Sequence, residues 1–252
     1  MRSAVLSSAS LIVILVVWEA VSRAGWVSPL VLPAPSRIWD GLVILFTAPW
    51  FPQHVWMTTI ETLIGFVIGG VVAIALGIAM VNVRIFKEIA YPYVVAFQVM
   101  PKVVLAPIFI TWFGFGIESK IVMATAISFF PVVINTVVGL ESVEENASLL
   151  MRSLVASRMQ VFWKLAWPTA LPSIFAGLKT SLTLALIGAL VAEFVTAKDG
   201  LGTLITTFSF ELKVYLVFAV IIVVSALGLV LYGLMEYLER KIVFWRRSRF
   251  TG

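Results

Sequence analysis

The sequence predicts an all-α integral membrane protein with about six transmembrane helices, and three observations lead there. Of 252 residues, 61% are hydrophobic and only 12% charged, with a mean hydropathy of +1.07. A water-soluble domain has about a quarter of its residues charged, so this chain has too little charge to cover a water-facing surface. The apolar residues gather into runs of roughly 20, the length a helix needs to cross the hydrocarbon of a bilayer. Between two of these runs lies one long stretch, 145–172, that is too polar to insert and carries Arg152, Arg158 and Lys164.

The spans are expected at about 5–21, 57–81, 89–113, 121–140, 173–196 and 214–237. The first follows Arg2 and has the look of a signal peptide. However, Trp18-Glu19 follows its most apolar part and no clear small-x-small cleavage site is present, so an uncleaved span is expected. The segment 25–56 holds Pro29, Pro33, Pro35, Pro49 and Pro52 with Trp26, Trp39, Trp50 and Trp56. Tryptophan favours headgroup depth, which suggests a segment on the outer interface, with Ser36 capping a short helix over 37–46. The second span is the cleanest, since 63–81 carries no charge.

Orientation follows from the basic residues. With the N-terminus inside, the inner side receives twelve: Arg2, Arg84, Lys87, Arg152, Arg158, Lys164, Lys179, Arg240, Lys241, Arg246, Arg247 and Arg249. The outer side receives five: Arg23, Arg37, Lys120, Lys198 and Lys213, with Lys102 left in a span. The positive-inside rule then places both termini and the 145–172 loop in the cytoplasm. The same distribution argues against nucleic acid as the reason for the net charge of +5. No cysteine is present and His54 is the only histidine, so neither a metal site nor histidine-based catalysis is expected, and no phosphate-binding P-loop occurs. The chain reads as one transmembrane domain, 1–252.

Several polar residues fall inside spans. In the fifth, Gly177, Ser181, Ala185 and Ala189 recur every four residues and form a small-residue stripe suited to close helix packing. Glu193 continues that stripe, so it points into the bundle. It either serves the transport path or is a structural carboxylate paired near the outer face. Gly65, Gly69, Gly70, Ala73 and Gly77 repeat the stripe in the second span, where packing is the reading. In the third span Gln98 and Lys102 share a face between Pro101 and Pro107, which are expected to break the helix. Lys102 either meets an anionic solute, snorkels to a headgroup, or pairs with Glu193 or Glu61. Thr125, Ser128 and Asn135 fall roughly on one face of the fourth span, as a polar lining or as helix–helix glue. Glu61 sits near the outer start of the second span, and Asp199-Gly200-Leu201-Gly202 reads as an outer turn.

The loop itself can form an amphipathic helix over 145–158, with Leu150 and Leu154 on one edge beside Met151 and Arg158. Such a helix suits a groove on a partner protein or the surface of the inner leaflet. Glu145, Asn146 and Ala147, followed by Leu165-Ala166-Trp167-Pro168 and Leu171-Pro172, resemble the start and end of the EAA motif of ABC-importer permeases. The motif usually has glycine at its turn and alanine after the glutamate. Here Val155 stands in the run Ser153-Leu154-Val155-Ala156-Ser157, and Asn146 replaces the first alanine.

Other stretches extend the resemblance over nearly the whole chain: Leu32-Pro33-Ala34-Pro35-Ser36, the run Met100 to Pro107, Trp112-Phe113-Gly114-Phe115-Gly116, Ser119-Lys120-Ile121, Phe129-Phe130-Pro131, Gly177-Leu178-Lys179 and Ala192-Glu193-Phe194. They are similar to the type I branch that carries taurine, alkanesulfonates, nitrate and thiamine-precursor pyrimidines. The resemblance implies a non-catalytic permease subunit in the inner membrane, paired with a second and identical copy. Two ATPase subunits, which bind ATP and Mg, would dock at about 141–172 through Glu145, Asn146, Ala147, Leu150, Leu154, Val155, Arg158, Pro168 and Pro172. A periplasmic or lipid-anchored binding protein would deliver the solute. Two rivals explain less. A secondary transporter driven by an ion gradient through Glu193 and Lys102 leaves the polar loop without a use, and internal repeats common in such proteins are not evident. A membrane-embedded enzyme would want clustered His, Asp or Glu.

Overall fold

Helices begin and end in the computed structural model where the local chemistry dictates. The structure describes residues 2–196 and 198–245, with the side chains of 2–9 and 11 left aside. Arg246, Arg247 and Arg249, three of the inner-side cations of the topology count, lie outside the described residues. The helices are α1 (Arg2–Arg23), α2 (Pro35–Thr47), α3 (Phe51–Asn82), α4 (Arg84–Val99), α5 (Ala106–Phe113), α6 (Ile117–Glu141), α7 (Glu145–Ser153), α8 (Arg158–Val161), α9 (Trp167–Thr196), α10 (Leu201–Phe210) and α11 (Val214–Ile242). A 3₁₀ turn, Lys102–Leu105, precedes α5, and a π-helical turn, Phe162–Ala166, joins α8 to α9.

Among the described residues four stretches are long and apolar enough to cross a membrane, namely α3, α6, the continuous 39-residue run Arg158–Thr196, and α11. A fifth is reached if α4 and the Lys102–Phe113 segment count as one span bent by 89°. The bend is where the prolines predict it: Pro101 and Pro107 remove backbone donors, and a single straight span over 89–113 is replaced by two helices meeting at Met100-Pro101. The six spans expected from sequence are therefore not all reached by length and apolarity. The first expected span does form the 22-residue helix α1.

The chain divides into two compact units, Met1–Thr58 with Glu193–Leu227, and Thr59–Ala192 with Gly228–Gly252. In the first unit, α2 starts at Pro35, whose fixed φ and missing N–H suit a first helical position. Ser36 does not cap this helix. Its hydroxyl and backbone N–H instead donate to Glu19 of α1, at 2.7 and 3.0 Å, and Glu19 also pairs with Arg23. Ile38, Gly41 and Leu45 form the buried edge of α2, with Gly41 against the Tyr215 backbone of α11. Trp39 and Phe46 on its other side are exposed.

The second unit is built on α6, buried along most of its length. Glycines let its neighbours come close: a Cβ on Gly65 of α3 would stand 2.5 Å from the Ala124 Cβ, and one on Gly188 of α9 would stand 2.8 Å from the Ala124 Cα. The small-residue stripe predicted on the fifth span thus faces α6, and Ser181, Ala185 and Ala189 are fully buried.

Candidate functional site

The polar stretch 145–172 becomes two short helices set at the start of a long one. Glu145 lies in the first turn of α7 and Arg152 in its last, the charge order that complements the helix dipole. The helix closes with a Schellman arrangement: Ala156 N–H donates to the Met151 carbonyl at 3.0 Å and Val155 N–H to the Arg152 carbonyl at 2.9 Å. That closure demands a left-handed residue after the C-cap, and Val155 takes it, with φ of 57°. The bend that glycine makes in the related motif is therefore made here by a β-branched residue, at a cost of about 1–2 kcal/mol. Ser157 then opens α8 with a capping box: its hydroxyl accepts from Gln160 N–H, and the Gln160 side chain accepts from Ser157 N–H at 2.8 Å.

Beyond α8 the helix widens into the π turn, where Trp167 N–H reaches back to the Phe162 carbonyl. This turn immediately precedes Pro168, whose ring and missing N–H disturb the ordinary ladder one turn back. Pro172 follows inside α9. The run Arg158–Thr196 would be about 58 Å long at 1.5 Å per residue, well beyond the ~30 Å of hydrocarbon, so part of it lies outside the hydrocarbon layer.

The loop has two faces. Leu150, Leu154, Val155, Met159 and Trp163 are exposed, with Val155 at 91%. Arg152 lies about 160° around α7 from Leu150 and Leu154, and Arg158, Val161 and Phe162 share one edge of the following helix. These four line a cleft of about 560 Å³ together with Val81 and Asn82 at the end of α3 and Leu140 near the end of α6. Asn146 is exposed and Ala147 half-buried on α7.

The expected path residues are held by internal hydrogen bonds. Thr125 donates to the Gly65 carbonyl at 3.2 Å and Ser128 to the Thr125 carbonyl at 3.2 Å. Asn135 donates to the Pro131 carbonyl at 2.8 Å. The carbonyls of Ser128 and Asn135 in turn accept from Ser181 and Ser173 of α9. Ser128 is fully buried, whereas Thr125 and Asn135 keep partial exposure. Lys102 sits in the broken span, donating to the Gln98 carbonyl at 2.8 Å and lying 4.9 Å from the centre of the Phe130 ring, while the Gln98 side chain is exposed.

Glu193 is fully buried in the first unit. Its carboxylate accepts from the Thr58 hydroxyl and from Gly202 N–H, both at 2.6 Å. Thr58 also accepts from Leu201 N–H at 2.8 Å. Together Glu193 and Thr58 satisfy two of the orphan amides at the start of α10, those of Gly202 and Leu201. Around them Gln53 meets Asp199 at 3.4 Å and His54 Nδ1 lies 3.0 Å from the Gly200 backbone. Gly200, with φ of 121°, presses against the Glu193 carboxylate so closely that a Cβ there would overlap it.

Two of the ion pairs that went unseen in the sequence are largely shielded from solvent. Lys120, expected in an outer loop, lies in the first turn of α6 with 2% side-chain exposure and pairs with the fully buried Glu61 of α3 at 2.9 Å. Lys179 of α9 pairs with Glu239 of α11 at 2.6 Å. The signal for the first was present: an acid and a base, each within about three turns of the start of neighbouring helices that run in the same direction. Among the described residues no group of three His, Cys, Asp or Glu is placed to hold a metal.

Comparison with known proteins bears on this arrangement. Residues 65–244 match the model of the family described as binding-protein-dependent transport system inner membrane component. The chain is 33% identical to the formylaminopyrimidine transport permease protein ThiX of Halalkalibacterium halodurans, over 94% of each chain. It is also 33% identical to the riboflavin transport system permease protein RibX of Chloroflexus aurantiacus, over 95% of this chain and 89% of that one. Identity to the taurine transport system permease protein TauC of Escherichia coli is 29%, over 97% and 90%. Among solved structures, inward-facing MetNI methionine ABC transporter aligns with a TM-score of 0.64 at 17% identity, over 82% of this chain and 98% of that one, a likeness of fold.

Proposed function

Because this chain belongs to the binding-protein-dependent transport system inner membrane component family, it is a permease subunit of an ABC importer, and we propose that its 141–172 loop couples the importer's ATPase subunits to the membrane helices. One observation carries this reading. An exposed apolar edge, Leu150, Leu154, Val155, Met159 and Trp163, is held rigid by the Schellman closure and the capping box. It stands at the end of a helix that runs on unbroken to Thr196. A rigid apolar knob fits a groove on a soluble partner, and a push on it is transmitted along the stem.

In this reading two copies of the chain form one path, with the termini and the loop inside. ATP and Mg bind to the partner ATPases, and a binding protein supplies the solute from outside. The solute is a small molecule of the sulfonate, taurine, nitrate or pyrimidine type. The relatives named for formylaminopyrimidine and taurine transport support that range. Gln98 and Lys102, in the broken span with Lys102 half-exposed, are the groups placed to meet it, with Thr125 and Asn135 the other partly exposed polar side chains. Glu193, whose oxygens both accept hydrogen bonds within its own unit, anchors α10 rather than carrying protons. That weakens the ion-gradient alternative.

The test is uptake into proteoliposomes holding the whole importer. Glu145→Arg and Leu154→Asp are expected to insert normally, lose ATPase subunits on purification, and reduce ATP-driven uptake at least tenfold. Full uptake by both variants, or uptake driven by a proton gradient without ATPase, overturns the reading.

A further inference from the structure

The cleft behind the coupling loop lies apart from the exposed apolar edge assigned to docking, and its chemistry points to a ligand of its own, so that Arg158, expected from the resemblance to meet the ATPase, is assigned to the cleft instead. Neither Arg152 nor Arg158 forms an ion pair among the described residues. Both guanidinium-bearing residues line the same cavity of about 560 Å³, on the face of the loop turned away from Leu154. Arg152 is favoured by the dipole at the end of α7, but Arg158 is in the first turn of the stem helix, where a cation is disfavoured. A bound anion would relieve that conflict. The remaining walls are mostly apolar, from Val81, Leu140 and Phe162, and Val81 and Leu140 come from the last turn of α3 and of α6, where spans leave the bilayer.

We propose that this cleft binds the phosphate of an anionic phospholipid, with Arg152 and Arg158 holding the headgroup and the apolar wall accepting the first acyl carbons. Guanidinium pairs phosphate oxygens through two parallel N–H bonds, which suits a fixed anion better than diffuse attraction does. The lipid ties the loop to the ends of α3 and α6, so the stem moves as one body with the spans it must drive. The site rests on the membrane placement of α3 and α6 and on the loop lying inside, and not on which ATPase or solute is used.

Native mass spectrometry of the purified full-length protein tests it, with phosphatidylglycerol, phosphatidylcholine and inorganic phosphate as probes. Phosphatidylglycerol is expected to stay bound at one molecule per chain while phosphatidylcholine does not. Arg152→Gln and Arg158→Gln should each lower its occupancy about fivefold, and Arg158→Lys should keep most of it. Lys164→Ala removes the same charge from the same loop outside the cleft and should change nothing. Equal binding of the two lipids, or an equal loss in Lys164→Ala, overturns the proposal. Displacement of the lipid by millimolar phosphate also overturns it, assigning the arginines to a free anion. The lipid comparison needs no variant, so a misfolded mutant cannot mask the answer.

Discussion

Val155 shows how much of this loop's shape is set by backbone hydrogen bonds rather than by the residue at the turn. The sequence raises the question, because the related motif has glycine there. The structure answers that the same left-handed turn forms, closed by Val155 and Ala156 N–H groups. Glycine at this position removes the steric strain, so Val155→Gly should stabilise the protein by about 1 kcal/mol, seen as a higher Tm in detergent. A lower Tm would mean that the exposed valine is held by contacts that outweigh its strain. Glu193 is the second single-residue case. The small-residue stripe correctly put it in the bundle interior, but spacing alone could not tell a path carboxylate from a cap. Glu193→Gln keeps one acceptor oxygen and loses the charge that faces two donors, so stability should fall by about 1–3 kcal/mol. Binding-protein-dependent uptake per folded molecule should change little. A loss of uptake at unchanged Tm would return Glu193 to the path.

At the scale of elements, the helices were legible because apolar run length and proline placement act locally. The bend after α4 follows from Pro101 and Pro107 within one stretch of chain. What escaped was long-range. The ten-residue helix α10 follows an expected turn, and two of its N-terminal amides are satisfied by Thr58, far off in sequence, and by Glu193, which reaches back across the turn that precedes it. Lys120 reads as a loop cation until Glu61 is placed opposite it. Removing only one partner strands a buried charge, so Glu61→Met or Lys120→Met alone should destabilise by about 3–5 kcal/mol, whereas the double change Glu61→Met with Lys120→Met should cost far less. Thermal unfolding of the two single variants and the double variant in one detergent measures this. If the double variant is as unstable as the single ones added together, the pair is not coupled.

At the scale of the whole molecule, the absence of catalytic clusters in the sequence and the long stem in the structure meet in one account. In the proposed account the chain moves solute by changing shape, and it receives that motion at the loop. Composition announced the membrane, and the polar stretch is the feature on which the proposed contact outside it rests. The family match supplied the kind of transport system the chain belongs to. The two-faced character of the loop was not legible in the sequence, because it depends on which sides of α7 and α8 turn toward the ends of α3 and α6. The most direct test exploits the lack of native cysteine. Leu154→Cys, in membranes containing the assembled importer, should cross-link to an ATPase subunit through a short thiol reagent, with a yield that changes when ATP is added. Cysteine placed at Lys213, on the proposed opposite side of the membrane, should not. No ATPase adduct at Leu154 under any nucleotide condition would contradict the coupling role assigned to the loop.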